Sequence, residues 1–564
     1  MLNWLSSRLK QHQTNHPLGN DKAIDRYLAE IPLADPKHTL GALDEWLEQP
    51  SRLFAELPPP LAVRALSRLD EFAQPALTAC WQTYFADDRR DYLADLTLKR
   101  LETYYTHIEA AYRHALSLLP LAGNEARDAD KNELALLSLR AMSALNARKK
   151  IGHFTYQNPD ADWWKAAHEL LFLARNLSIL HTLQSAYHGT EPGTVWHEYM
   201  AGLVFEVAPL STLSPAQVEA LDCIARWAEP HFICMDTFSP QTPFRIRLDQ
   251  TSGPERCLPG QEENQSCRYF GPAQAQGQLA QLRALVSTGK TPDWMPWFCT
   301  QKQTLDLLEN LLKHWSMTPP KRLQNRHEQK GVLLITQGFT LARRMIAASE
   351  FVRSGRSLDY RGHDKYLHHL RAAGIDDTAD PSTVLKTPLE SLQRLETSGD
   401  RQMMERWEVI DISARGLGAR LPLRRPWQII GALVAYRHDG EIDWHIGIVR
   451  RLGRSHGKPN AGLGIFEGTP QCGQLHLLNQ EDDGLWDQQT RDTSGHGLID
   501  AILVSAATRH LLLPKGTFTF DRRADFLLGG KRIPMRLTGI EASGDDYDLV
   551  LYRALDIAAP QPAA

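Results

Sequence analysis

Apolar residues recur at three- and four-residue steps through the first third of the chain. The runs Leu98–Arg113 and Leu134–Met142 show this most plainly, and that spacing is the period of an amphipathic helix. Residues 20–200, rich in Leu, Ala, Arg and Glu, are therefore expected to form a helical bundle or an array of helix pairs. Self-similarity is too loose to define a tetratricopeptide array, although a helical solenoid would offer a surface to protein partners. Its aromatics, Tyr104-Tyr105, Trp163-Trp164 and Tyr187, are read as core or domain-interface residues in preference to a partner-binding face. From 201 to 318 the texture changes to short strands, Leu203–Ala208 and Phe244–Leu248, around a polar loop at 252–266. This predicts a small α+β segment, which is a candidate for a barrel of its own. A helix over Leu305–Lys313 then ends near Pro319-Pro320.

After residue 319 the pattern becomes one of strands. Gly331–Thr336, Trp407–Ile412, Leu417–Leu421, Ile429–Tyr436, Trp444–Arg450 and Ala461–Phe466 are apolar and β-branched, with polar turns between the later ones. Two helix-period runs, Leu341–Val352 and Leu389–Glu396, fall between the first and second of these strands. Pro388 is well placed to start the second run. The expectation is an antiparallel β-barrel over 319–475 with a helical insertion at about 340–400. A C-terminal β unit over 476–556 is expected from Ile499–Val504, Gly516–Phe520, Arg532–Leu537 and Tyr547–Tyr552, followed by a frayed tail. The fold class is thus multidomain: a mostly helical N-terminal region, a small α+β segment, a barrel with a helical insertion, and a C-terminal β unit.

Composition narrows the function. A chain of 564 residues with 42% hydrophobic and 23% charged residues is ordinary globular material for several domains. A net charge of −4 gives no general drive toward a nucleic-acid polymer or an anionic membrane, so an anionic ligand must be captured by a local arginine cluster. The first residues lack a signal-peptide pattern and no window is apolar for about 18 residues; the expected location is the cytoplasm, without membrane insertion. Seven cysteines without a Cys-x-x-Cys pair are expected as free thiols.

Chemistry concentrates at Asp411-Ile412-Ser413-Ala414-Arg415-Gly416, an Asp-x-Ser-x-x-Gly turn between two strands. Asp411 and Ser413 offer oxygens at a strand end, and Gly416 permits a conformation or a ligand approach that a Cβ obstructs. The same pattern recurs at Asp492–Gly497, but there it follows a polar run and lacks flanking strands. Arg322-Leu323-Gln324-Asn325-Arg326 precedes the first barrel strand. Arginine suits phosphate capture because its planar fork bonds two oxygens and its face lies flat on a purine. Arg-x-x-x-Arg begins at five positions, Arg64, Arg322, Arg420, Arg450 and Arg532, so its place before a strand selects the second. Arg401 with Arg406 is the competing pair.

In these motifs and their order, roughly 405–470 with the arginine arm, the chain resembles the PilZ domain, the bacterial receptor module for cyclic di-GMP. The resemblance implies that Arg322 and Arg326 meet the phosphates and guanine faces of that ligand. Asp411, Ser413 and Gly416 would take a guanine or ribose edge, and Arg415 and Arg420 would add charge at the same mouth. The family commonly binds an intercalated ligand dimer, and one or two molecules both remain open here. The separation of Arg326 from Asp411 departs from the family's short connection and demands the insertion.

Rival chemistry is thinner. His363, His368 and His369 beside Asp364 have spacings of five and six, which fit no metal pair on one helix face. Ser413 lacks a nucleophile elbow, and the chain has no Gly-x-x-x-x-Gly-Lys-Ser/Thr phosphate loop. Taken singly, the motif residues also suit plainer roles: Asp411 and Ser413 as turn caps, the arginines as surface ion-pair partners. The expectation is a non-enzymatic receptor for cyclic di-GMP, with no cofactor or metal, that passes its signal to an unidentified protein partner. The alternative is an adaptor of the same fold without nucleotide affinity, acting as a scaffold in motility or surface attachment.

Overall fold

The computed structural model describes residues 16–86, 92–118, 128–257, 265–318, 326–353, 404–455, 457–478 and 498–555. The chain divides into two compact units, Met1–Lys321 and Arg322–Ala564.

The first unit opens with helices α1 (Asp21–Glu30), α2 (Pro36–Leu47), α3 (Pro50–Glu56), α4 (Pro59–Ala86), α5 (Tyr92–Leu118), α6 (Asp128–Phe154), α7 (Ala161–Asn176), α8 (Val195–Glu206) and α9 (Pro215–Ala228). Local chemistry sets their starts: Asn20, Asp35, Asp160 and Thr194 each accept a backbone N–H from the first turn, and Ser214 with Gln217 forms a capping box at α9. The three longest helices meet at Asp70 of α4. Tyr104 and Tyr112 of α5 donate their hydroxyls to its carboxylate at 2.8 and 2.6 Å, and Tyr187 from the α7–α8 loop donates at 3.0 Å. Arg140 of α6 lies 5.0 Å over the Tyr187 ring and donates to Glu71 and to the Ala186 carbonyl, both at 2.7 Å. Burial pushes the Asp70 carboxyl up, against the pull of Arg140 and the three hydroxyls. A buried carboxylate is tolerated because so many donors converge on it. Tyr104, Trp163 and Trp164 are buried, as interior aromatics are.

One expected strand is a helix. Leu203–Ala208 falls in and just beyond α8, whose residues from Val195 to Phe205 are buried on nearly every side. A helix covered all round shows no amphipathic period, and its apolar run reads like a strand. The sheet that follows has four strands, β1 (Ile233–Met235), β2 (Phe244–Arg247), β3 (Glu255–Arg256) and β4 (Cys267–Gly271), in the order β1-β4-β2-β3. Among the described residues it is an open sheet, which corrects the expectation of a barrel here. Helices α10 (Ala275–Ser287) and α11 (Gln301–His314) complete the unit, α11 starting at a Thr300–Gln303 capping box.

The second unit holds two barrels. The first contains β5 (His327–Glu328), β6 (Val332–Gln337), β7 (Met404–Ser413), β8 (Gly416–Arg420), β9 (Leu433–His438), β10 (His445–Ser455) and β11 (Lys458–Ile465). The sheet order is β5-β7-β6-β9-β10-β11-β8, and β7 also pairs with β8, which closes six strands into a ring with β5 laid on β7. Between β6 and β7 the chain forms α12 (Phe339–Arg353), the first helix of the expected insertion. Leu389–Glu396 and the His363–His369 cluster lie outside the described residues. The strand expected from Ile429 begins only at Leu433, because Gly431 at φ +90° and the Ala432 N–H to Ile429 carbonyl bond make a turn first.

The second barrel is closed by β12 (Gln471–Leu477), β13 (Leu498–Ser505), β14 (His510–Pro514), β15 (Arg523–Leu528), β16 (Lys531–Ser543) and β17 (Tyr547–Ala554), in the order β12-β13-β14-β17-β16-β15. The strand expected at Gly516–Phe520 is instead a turn: Gly516 has φ +78° and Thr517 bonds back to the Pro514 carbonyl. Helix α12 packs Phe339, Ala342, Met345 and Ile346 against Leu433, Trp444 and Ile446 of the first barrel and against Ile502, Leu512 and Leu549 of the second. Asp546 of the second barrel accepts the Phe339 N–H at 2.6 Å at the start of this helix. Tyr547 donates to the Gly431 carbonyl at 2.8 Å. Among the described residues no helix is long and apolar enough to cross a membrane.

Candidate functional site

The site is built where β7 turns into β8. The antiparallel register pairs Ser413 with Gly416, Ile412 with Leu417 and Asp411 with Gly418, and slips by one residue between Val409 and Asp411. Such a bulge re-aims the strand end next to the turn. Ser413 donates its hydroxyl to the Gly416 carbonyl at 3.3 Å, tying the turn across its own mouth. The Arg415 side chain is exposed at the tip, and its carbonyl accepts the Ile465 N–H from β11 at 3.2 Å.

The arginine arm reaches this turn through β5. His327 pairs with Ile412 and Glu328 with Asp411. The Gln329 N–H then bonds the Ile410 carbonyl at 3.3 Å. One step back along the chain, Arg326 donates Nη1 to Asp411 Oδ1 at 2.7 Å, across a separation of 85 positions. Their side chains are 35% and 23% exposed, so the pair lies at the surface and is open to a ligand. Arg322 lies outside the described residues, as do Arg401 and the second Asp-x-Ser-x-x-Gly copy at Asp492–Gly497. Arg406 donates to Asp439 at 2.7 Å, and Arg420 to Glu408 at 3.2 Å.

Glycines make the room. A Cβ on Gly418 would stand 2.5 Å from Asp411 Oδ1, so the carboxylate folds over its cross-strand partner only because that partner is glycine. At Gly416 a Cβ would stand 3.2 Å from Ser413 Oγ. Its backbone is not among the positive-φ glycines, so close approach, not left-handed geometry, explains this residue. On β11, Gly464 is the register partner of Gly416, and a Cβ there would come within 3.0 Å of the Arg450 stem. The exposed Arg450 therefore crosses the barrel surface one strand from the turn. Sequence reasoning passed over Gly418 and Arg450 as site residues. The available signal was the run of glycines at 416, 418, 462 and 464 inside strands, which marks close approach of other groups.

The arrangement offers a guanidinium fork, a carboxylate with two acceptor oxygens and a hydroxyl at one exposed turn, with Arg415 at its tip and Arg450 on the neighbouring barrel surface. A carboxylate accepts well from adjacent N–H donors such as those on a guanine edge, and guanidinium pairs bidentately with a phosphate diester. The present Arg326–Asp411 pair satisfies both groups. A partly exposed ion pair of this kind is worth about 1 kcal/mol or less, so a ligand that offers each partner a replacement displaces it cheaply.

Comparison with known proteins adds an observation from elsewhere in the chain. No curated protein and no solved structure matches it. Residues 22–233 match the family model described as "Cyclic-di-GMP receptor FimW, N-terminal domain". The helical part of this chain is thus similar to the N-terminal domain of a cyclic-di-GMP receptor.

Proposed function

We propose that this protein is a cytoplasmic, non-catalytic receptor for cyclic di-GMP, and that its first barrel is a PilZ-type ligand module. The observation that carries the reading is the meeting of Arg326 with Asp411 at the β7–β8 turn across an intervening helical insertion. The similarity of residues 22–233 to a receptor's N-terminal domain supports the same ligand from an independent part of the chain. On binding, Arg326 exchanges the Asp411 carboxylate for a phosphodiester, with Arg322 as its companion and Arg415 adding charge. Asp411 is released to accept from a guanine edge, with Ser413 beside it and Gly416 leaving space. The ligand replaces an internal ion pair by an external bridge between arm and turn. That change reorders β5 and β6 and is the signal passed to a protein partner.

The adaptor reading rests on the same pair: Arg326 and Asp411 already satisfy each other, and such a pair also serves as a plain staple between arm and barrel. Thermal unfolding with and without cyclic di-GMP separates the two. A ligand at a hundred times its dissociation constant stabilises by about 2.7 kcal/mol, so the receptor reading expects a clear rise in Tm for the native chain. It expects a clearly smaller rise for Asp411→Ala, and none with GTP. An unchanged Tm for the folded native chain would leave the adaptor.

A further inference from the structure

We infer that residues 471–555 are a second copy of the first barrel whose ligand mouth has been sealed by the chain itself, so that nucleotide enters only one of the two barrels. The ligand's identity rests on the reading above; the duplication rests on topology. Number the closing strands of each barrel in chain order, β6 to β11 and β12 to β17. In both, the first strand pairs with the second and fourth, the third with the second and sixth, and the fifth with the fourth and sixth, all antiparallel. The second strand of each carries a register slip just before its turn, at Val409/Asp411 and at Leu503/Ser505. The fifth strand is the longest in each, at 11 and 13 residues.

The shared topology sets the last pair of the second and third strands in one barrel against that in the other. Ser413 pairs with Gly416 at the first turn, and Ser505 pairs with His510 at the second. Serine is kept, and the hydroxyl again serves the turn, accepting the Thr508 N–H at 3.3 Å. Two positions before it, Asp411 is replaced by Leu503, which is 6% exposed within the barrel's own apolar core. In place of the open glycine stands His510, 9% exposed, with Nε2 2.5 Å from Glu541 and Nδ1 2.6 Å from Thr508. The Phe466 ring, from the segment joining the barrels, lies edge-on to His510 at 5.6 Å. No arginine lies between Phe466 and β12, where the first barrel has its arm. Carboxylate, glycine and arm have become leucine, a hydrogen-bonded histidine and a phenylalanine plug. The sealed mouth fastens the linker to the second barrel.

The test is hydrogen exchange, read by mass spectrometry, on the full chain with and without cyclic di-GMP, for the native sequence and for Phe466→Ala. The expected result is ligand protection of at least tenfold in peptides covering 409–418 and none in peptides covering 503–512. In the free native chain the 503–512 peptides exchange slowly, and Phe466→Ala speeds them at least tenfold while the 409–418 peptides keep their rate. Ligand protection of 503–512 would overturn the inference and leave the receptor reading intact. If the ligand protects neither segment, the receptor reading fails. The inference is then judged on the free chain: fast exchange of 503–512 that is indifferent to Phe466→Ala overturns it, and slow exchange released by that variant upholds it.

Discussion

Gly418 owes its identity to Asp411, because the carboxylate occupies the space of the missing side chain. Gly418→Ala forces the carboxylate off its present position. Overpacking of this kind costs about 1–3 kcal/mol, so the protein should remain folded in denaturant titration while its affinity for cyclic di-GMP falls at least tenfold. A second residue tests the electrostatics of the helical unit. Burial, with the Glu198 charge adding to it, pushes the Glu229 carboxyl up to about 7. The folded state then holds a proton that the unfolded chain releases above its ordinary carboxylate pKa, so stability falls as pH rises from about 4.5 to about 7. Glu229→Gln should therefore stabilise the protein at pH 8 relative to the native chain and do little at pH 4, as read from urea midpoints at the two pH values. At this scale the sequence was informative where chemistry is local. Asp411, Ser413 and Gly416 stand within six residues, and Arg326 is marked by its place before a strand. Arg450 joins the same surface only through the β10–β11–β8 register, and Asp70 gathers donors from α5 and the α7–α8 loop with Arg140 of α6 beside them. The Asp70 cluster leaves no mark in the linear sequence, and Arg450 leaves only the indirect one of the strand glycine it packs over, Gly464.

Helix α12 is the element that links the two barrels, and its start depends on a residue more than two hundred positions away. Asp546 accepts the Phe339 N–H, and Gly338 at φ +79° lets the chain turn beneath that carboxylate. Asp546→Ala removes a cap from outside the helix and should lower stability by about 1 kcal/mol, measured by chemical denaturation. Burial raises the Asp546 carboxyl's pKa. In the helical unit Asp70→Ala should be far more damaging, by about 3–5 kcal/mol, because it leaves three tyrosine hydroxyls without their shared acceptor and the buried Arg140 without a neighbouring opposite charge. Urea unfolding followed by circular dichroism would show that difference. Elements were legible wherever one face meets water: the long amphipathic helices and the alternating barrel strands. They were misread where that contrast vanishes, as in α8, or where positive-φ glycines interrupt an apolar run, as at Gly431 and Gly516.

The whole molecule pairs a helical unit, similar in residues 22–233 to a receptor's N-terminal domain, with a unit of two barrels of one topology. The multidomain plan was readable from changes in periodicity. The recurrence of one barrel in the other was not, because strand pairing is long-range and the two copies share connectivity, not motif. The proposed function turns on ligand capture at the β7–β8 turn of the first barrel. The most direct test is calorimetric titration of the full chain with cyclic di-GMP, beside Arg326→Ala and Asp411→Ala. Saturable heat with a dissociation constant of about a micromolar or tighter, equivalent to about −8 kcal/mol, is predicted for the native chain, weakened at least tenfold in each variant. Absence of heat with folded native protein, or affinity that survives both substitutions, would contradict it.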